Sequence, residues 1–431
     1  MRVAMVSEHA SPLAALGGVD AGGQNVHVAA LSAALAARGH EVDVYTRRDD
    51  EALPRVVPLS PGVRVVHLDA GPPLPLPKDA LLPHVEALGR ELAAALLERP
   101  ADLLHAHFWM SGVAAREAAA SVGVPVVQTF HALGSVKRRW QGAEDTSPPS
   151  RVSVEAQLAG SADLVLATCR DEVRELAELG APAERVDVVP CGVDLDAFTP
   201  SGEVGGPPRH QPHRVLVVGR LVERKGVEDV VRALALVPAG APGHALSRTE
   251  LLVAGGPAET QLGLDAYARH LRDVAAEVGV GERVRLLGRV GHGDLPALLR
   301  SADVVVAAPW YEPFGIVPLE AMACGVPVVG SAVGGLLDTV DDGVSGVLVP
   351  PRDPVALAAA LGPLLADDER RRTVGLAARE RAEQGYGWAR VAARTEDAYR
   401  RVLARTPAAA PAWPAAAPGR RHHERHHQEQ A

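Results

Sequence analysis

A basic excess is missing from this chain: forty-four lysine and arginine residues face fifty-three aspartates and glutamates, for a net charge of −9. That balance argues against nucleic-acid binding as the main role, although it leaves room for a local basic site that takes phosphate. Cysteine is scarce too. The three residues, Cys169, Cys191 and Cys324, are odd in number and scattered, which excludes a disulfide framework and zinc-ligand spacing and leaves reduced core or loop thiols. Long apolar runs are also lacking: no stretch approaches the roughly eighteen to twenty residues needed to cross a membrane. The opening Met1–Ser7 is too short for a signal peptide and reads as a first β-strand. These absences predict a soluble, cytoplasmic protein. Lysine is nearly absent, with three residues at 78, 137 and 225 against forty-one arginines. In such a background a lysine suggests that a compact ammonium is wanted where it stands.

At 431 residues, with 47% hydrophobic and 23% charged, the chain is globular and exceeds one ordinary core. Strand-like runs alternate with Ala- and Leu-rich helical stretches: Val3–Val6, Gln24–Arg38, Glu41–Tyr45, then Asp102–Ala106 and Pro125–Thr129. The alternation predicts parallel sheets covered by helices. It restarts after a Pro- and Gly-rich break at 200–212 with Arg214–Val218, Glu250–Ala254, Arg283–Leu287, Val304–Ala307, Val326–Gly330 and Gly346–Val349. The predicted architecture is two doubly wound, Rossmann-like α/β domains facing across a cleft, spanning residues 1–200 and 201–385. Residues 406–431, Pro- and Ala-rich and then Arg- and His-rich, read as a disordered tail. Its His422, His423, His426 and His427 lack the ordered frame that a specific metal site needs.

The most informative stretch is Glu312-Pro-Phe-Gly-Ile-Val-Pro-Leu-Glu320, two carboxylates with seven residues between them around a glycine turn. An apolar β-rich run precedes it. A helical run follows, with Pro318 in its first turn. Glu320 is expected in that first helical turn and Glu312 in the loop before it. Free backbone N–H groups at Gly315 and Ile316 would point at a diphosphate, and carboxylates accept hydrogen bonds from hydroxyls. A sugar nucleotide, with two hydroxyl-rich rings flanking a diphosphate, meets both demands. The alternative is a plain strand–loop–helix unit whose glutamates are a surface residue and a favourable N-terminal charge.

A second patch, Val215–Gly226, is an apolar strand ending at Gly219, then Arg220 and Lys225. Arginine offers a planar fork of donors and lysine a point charge, so together they can neutralise a departing nucleotide. In the first half, Gly17-Gly-Val-Asp-Ala-Gly-Gly-Gln-Asn25 opens a helix but is no Walker A, since Gln24 stands where lysine is required. Its paired glycines let a ligand approach the backbone, with Asp20 and Asn25 bracketing that approach. His107 and His131 close two strands, at the edge where open α/β sheets bind ligands. Both the site reading and the scaffold reading stay open for His107. No Ser-His-Asp arrangement or cysteine nucleophile is visible, and Asp194-Leu-Asp196 reads as a structural loop, not a metal-binding D-x-D.

The glutamate motif with Phe314-Gly315 and Pro318, together with His9, Ser11-Pro12 and Asp20-Ala-Gly-Gly-x-Asn25, resembles retaining glycosyltransferase family 4. The likeness lies with the branch that holds the mycothiol-pathway glycosyltransferase and, more distantly, sucrose-phosphate synthase. The resemblance implies a GT-B fold and a retaining transfer of a hexosyl or N-acetylhexosaminyl unit from a nucleotide sugar, most simply a UDP-sugar, to a hydroxyl acceptor. It implies an acceptor domain at 1–200, a donor domain at 201–385, and a last helix at 386–405 that crosses back to the first domain. Arg220 and Lys225 would bind the diphosphate, Glu312 the transferred sugar and Glu320 the ribose, with Gly23, Arg289, Phe314, Gly315 and Ile316 completing the donor set. His131 would touch the transferred sugar, and with Arg220, Lys225 and Glu312 it forms the catalytic group. His9, Asp20, Gly22, Asn25, Lys78, His107 and Arg151 would face the acceptor. Neither a metal nor a cofactor is implied.

The relatives that build mycothiol hold an inositol phosphate with a lysine, an arginine, a tyrosine and a threonine. Lys78 and Arg151 stand where the cations are expected, but Phe108 replaces the tyrosine and Ala132 the threonine. A polyol or sugar acceptor, neutral or anionic, but other than inositol 3-phosphate, is therefore expected, while Lys78 and Arg151 as plain surface charges remain the alternative. Two rivals to transfer are a sugar-nucleotide epimerase on the same scaffold and a non-catalytic nucleotide-sugar sensor.

Overall fold

The computed structural model describes residues 1–13, 22–236 and 245–405. The predicted tail at 406–431, with its histidines, and most of the glycine loop including Asp20 lie outside the described residues. The first sheet comprises β1 (Arg2–Val6), β2 (Glu41–Arg47), β3 (Val56–Ser60), β4 (Val63–Leu68), β5 (Leu103–His107), β6 (Val126–Thr129), β7 (Leu164–Ala167) and β8 (Val186–Val188). Its order is β3-β4-β2-β1-β5-β6-β7-β8. All pairs are parallel except the β3–β4 hairpin. The second sheet comprises β9 (His213–Val218), β10 (Thr249–Ala254), β11 (Val284–Gly288), β12 (Val304–Ala307), β13 (Val328–Ser331) and β14 (Gly346–Val349), in the order β11-β10-β9-β12-β13-β14. It is parallel throughout.

Helices cover both faces of each sheet, which is why central strands such as Leu103–His107 are buried at every residue instead of alternating. Strand order reverses between β1 and β5 and again between β9 and β12. At such a reversal the loops leaving the carboxyl ends diverge and open a crevice. The two crevices face each other.

The last helix, Trp388–Ala404, packs in the first half, where Val391, Ala392, Ala398 and Tyr399 share one core with Val3, Met5, Val28 and Leu31. Arg38 Nε bonds Glu396 Oε2 at 2.5 Å, and the Tyr399 hydroxyl lies 2.6 Å from His105 Nδ1. Polar contacts also tie the two halves directly: Gln141 Nε2 donates to the Tyr311 hydroxyl at 2.9 Å, Thr168 Oγ1 lies 3.1 Å from the Pro313 carbonyl, and the Arg170 backbone N–H meets Asp338 at 2.6 Å.

Candidate active site between the two crevices

The loop after β9 and the loop after β12 meet edge to edge. Trp310 N–H donates to the Arg224 carbonyl at 2.8 Å, and the Arg224 guanidinium lies 5.1 Å from the Tyr311 ring centre. Gly226, at φ 65°, turns the first loop into its helix so closely that a β-carbon there would sit 1.9 Å from the Ala308 carbonyl. This packing brings Lys225 Nζ to 2.5 Å from Glu312 Oε2. Burial tends to raise the Glu312 pKa, but the Lys225 ammonium and a hydrogen bond from Gly315 N–H hold it below the ordinary value. Arg220 lies exposed just beyond β9, near enough for its charge to reach Tyr311. Arg289 is exposed immediately after β11, at the same carboxyl edge.

Gly315 adopts φ 70° and caps the helix Ile316–Ala323. Glu320 is the fifth residue of that helix and so lies in its second turn, not in the first as expected. It is 4% exposed, and burial alone pushes its pKa up to about 8.

Across the cleft, Gly22 and Gly23 begin the helix Gly23–Ala37. A β-carbon on Gly23 would meet Ile316 Cδ1 at 3.0 Å and Phe314 Cδ2 at 3.6 Å, so this helix start touches the opposite loop. Asn25 is spent on shaping the turn: its Oδ1 accepts from Gly22 N–H at 3.1 Å and its Nδ2 donates to the Ser11 carbonyl at 2.9 Å. Each end of its amide thus makes one internal hydrogen bond. His9 lies 2.7 Å from buried Glu8 and edge-on to Phe108 at 5.1 Å.

His131 stands at φ 63° just past β6, a left-handed conformation that costs a non-glycine residue about 1–3 kcal/mol and persists where surroundings over-determine it. Its ring lies 5.1 Å from Phe314, and its Nε2 is 2.9 Å from His107 Nδ1. His107 is wholly buried. It sits behind His131 and does not reach the cleft, which corrects its placement among acceptor contacts.

His27 completes this group, with ring centres 5.1 Å from His131, 6.1 Å from Phe314 and 5.4 Å from Trp388. Sequence reading missed it, although it falls one helical turn after Gly23 and so shares that face. Burial depresses all four histidines, His27 to about 4 and His105 to about 3, with His107 and His131 well below the usual value. The cluster is neutral.

Lys78 and Arg151 converge on Phe108, at 4.6 and 5.0 Å from its ring centre. Arg151 is 2% exposed and bonded to Glu155 at 2.7 Å, Ser147 at 3.2 Å and the Ala132 carbonyl at 2.5 Å, which removes the surface-charge alternative for it. Asp194 Oδ1 accepts from the backbone N–H groups of Asp196 and Ala197, both at 3.0 Å, and so stabilises its own loop. The three cysteines are buried and free. Among the described residues, no group of three or more His, Cys, Asp or Glu could hold a metal ion, and no helix is long and apolar enough to cross a membrane.

Residues 206–381 match the family model described as glycosyl transferases group 1, and residues 21–197 match the one described as Glycosyltransferase Family 4. The chain is 40% identical to a D-inositol 3-phosphate glycosyltransferase of Xylanimonas cellulosilytica, over 94% of this chain and 98% of that protein. A Salinispora tropica protein of the same name is 39% identical over 94% and 86%. Among solved structures, sucrose-phosphate synthase from Thermosynechococcus elongatus superposes with a TM-score of 0.83 at 34% identity, covering 94% of this chain and 99% of that one. Anabaena HepE, solved with UDP and glucose, shares the fold with a TM-score of 0.70 at 21% identity, over 92% and 98%.

Proposed function

Because the chain belongs to glycosyltransferase family 4 and is a glycosyltransferase that uses a nucleotide sugar, we propose that it moves a hexosyl or N-acetylhexosaminyl unit from a UDP-sugar to a hydroxyl acceptor, with retention at the anomeric carbon. The observation that carries this reading is the pairing of Lys225 with Glu312 at the second sheet's crevice, facing His131 and Gly23 of the first. A cation for the leaving diphosphate thereby stands beside a carboxylate for the sugar hydroxyls. In this reading residues 201–385 hold the donor, with Arg220 and Lys225 on the diphosphate, Glu312 on the sugar and Glu320 on the ribose.

Residues 1–200 hold the acceptor, and 386–405 belong with them. The departing diphosphate takes the acceptor proton on the same face. The protein contributes positioning and charge stabilisation that act before and during bond breaking. Glu312 holds the sugar and is not assigned as a covalent nucleophile. The similar proteins described above carry transferase and synthase names, which leaves the epimerase and the non-catalytic sensor without support.

For the acceptor, the relatives' name points to inositol 3-phosphate. Phe108 and Ala132 point to a polyol or sugar that does not need the two missing hydroxyls. Incubation of the protein with a panel of nucleotide sugars and cell extract, read by mass spectrometry of the products, tests the reading. A hexose-sized mass increase on an extract component with release of UDP is expected. Conversion of one nucleotide sugar into its epimer without acceptor would overturn it.

A further inference from the structure

Beside Glu312 lies a cavity of about 320 Å³ between the two halves. Its walls come from Ala132, Trp140 and Glu172 on one side and from Tyr311, Glu312 and Gly334 on the other. The volume is within the range of small-ligand sites, which run upward from roughly 300 Å³. Glu172 is 8% exposed, and its Oε2 takes the backbone N–H and the hydroxyl of Thr168, each at 2.6 Å. Its Oε1 is buried and has no hydrogen-bond partner among the described residues. A buried carboxylate oxygen left without a donor carries a desolvation penalty that folding normally avoids. A hydroxyl delivered into the cavity removes that penalty.

We propose that this cavity is a second carbohydrate subsite that receives an uncharged sugar unit attached to the acceptor hydroxyl compound, so that the acceptor is larger than a monosaccharide. The proposal rests on the glycosyltransferase reading above and names its acceptor class. Three features set the chemistry. Trp140 and Tyr311 offer aromatic surface of the kind that covers the apolar face of a sugar ring. Glu172 Oε1 offers a hydroxyl acceptor. The cations on the wall are already neutralised, Arg139 by a two-bond pair with Glu175 at 2.6 and 3.0 Å and Arg174 by Asp171 at 2.5 Å. Glu312 is likewise paired with Lys225, so among the lining residues no cation is left over for a phosphate and Glu172 is the carboxyl group without a cationic partner. Continuity with the transfer site comes from Glu312 and Ala132, both of which line the cavity.

Calorimetric titration of maltose, maltotriose and glucose into UDP-saturated protein tests this, with wild type, Glu172→Gln and Trp140→Ala compared. Glutamine retains an acceptor for the Thr168 bonds, so a folding defect is not expected from it. The disaccharide or trisaccharide should bind wild type at least tenfold more tightly than glucose. Either substitution should erase that advantage while leaving UDP affinity within about twofold. UDP bound normally but maltose and maltotriose bound no better than glucose would overturn the subsite. So would an unchanged advantage in both variants. Failure of wild type to bind UDP at all would instead remove the donor reading on which the subsite rests.

Discussion

Lys225 and Glu312, eighty-seven positions apart in the chain, are joined by an ion pair of 2.5 Å at the mouth of the second crevice. In the absence of substrate each neutralises the other. In the proposed site, a diphosphate arriving at the lysine and a sugar hydroxyl arriving at the glutamate would replace that internal pair with two ligand contacts, so that neither charge is left buried and unpaired beforehand.

Lys225→Ala and Arg220→Ala are expected to cripple turnover far more than folding. Each removes a charge-assisted bond of about 1.5–3 kcal/mol, which corresponds to about one to two decades in rate. Steady-state kcat/KM with a UDP-sugar, alongside a thermal melt, measures both. Glu312→Gln should slow transfer while leaving the affinity for free UDP nearly intact, and equal loss of UDP binding in Glu312→Gln and Glu320→Gln would contradict the division of roles.

In the proposed site, Glu320 would link nucleotide binding to protons. Its pKa is raised from near 4.5 to about 8 by burial, so the stability contributed by its neutral form is complete below about 4.5 and is lost as pH rises toward 8. For one proton the slope is about 1.4 kcal/mol per pH unit. The difference in stability between wild type and Glu320→Gln, read by denaturant unfolding across this window, should carry that slope, because the buried histidines, which act in the opposite direction, are common to both. Ribose hydroxyls favour the ionised carboxylate, so UDP binding at neutral pH should release a proton, seen as a buffer-dependent enthalpy. The glutamine variant should bind UDP about tenfold more weakly and lose the buffer dependence.

The neutral histidine cluster predicts a loss of stability on the acid side. Unfolded histidines protonate near 6.5, whereas burial holds His27 near 4 and His105 near 3 in the fold. Stability from these groups is complete above about 6.5 and falls as pH drops toward their folded values. Because His27 Nδ1 has no hydrogen-bond partner among the described residues, His27→Phe should fold and should flatten the acid slope by about one proton. Equilibrium unfolding at pH 5, 6 and 7 reads this directly.

Activity is expected to survive excess EDTA. Asp194 Oδ1 is occupied by two backbone donors, and Arg220 and Lys225 already serve the diphosphate in the proposed site. Total loss of turnover, restored by manganese or magnesium, would reopen Asp194 and Asp196 as ligands.

With inositol 3-phosphate and UDP-N-acetylglucosamine, kcat/KM is expected to stay below about 10⁴ M⁻¹s⁻¹, the lower end of the usual enzymatic range. A higher value would show that the hydroxyls absent at Phe108 and Ala132 do not matter.

All six strands of the second sheet and four of the eight in the first were readable because buried parallel strands are near-continuous apolar runs bounded by Gly and Pro. The β3–β4 hairpin and the short β7 and β8 were not singled out. Val56–Ser60 carries a proline and Val186–Val188 is three residues long, so neither gives a period to count. At the candidate site, the two loops proposed for the donor could be picked out because their residues are contiguous in sequence. The contacts between patches were not: nothing local says that Lys225 meets Glu312, or that the Arg151–Glu155 pair, one helical turn apart, is buried. The position of Glu320 was misread by one turn because Gly315, not a later residue, caps its helix.

Gly23 shows how a local preference yields to a distant one. Alanine at an ordinary helical position is favoured over glycine by roughly 0.5–1 kcal/mol, yet here the added carbon would stand 3.0 Å from Ile316 Cδ1 in the other half of the molecule. The bare α-carbon works as a clearance gauge. Even a methyl group at this position needs the Ile316 side chain to yield, and a larger side chain would act as a doorstop that holds the cleft ajar.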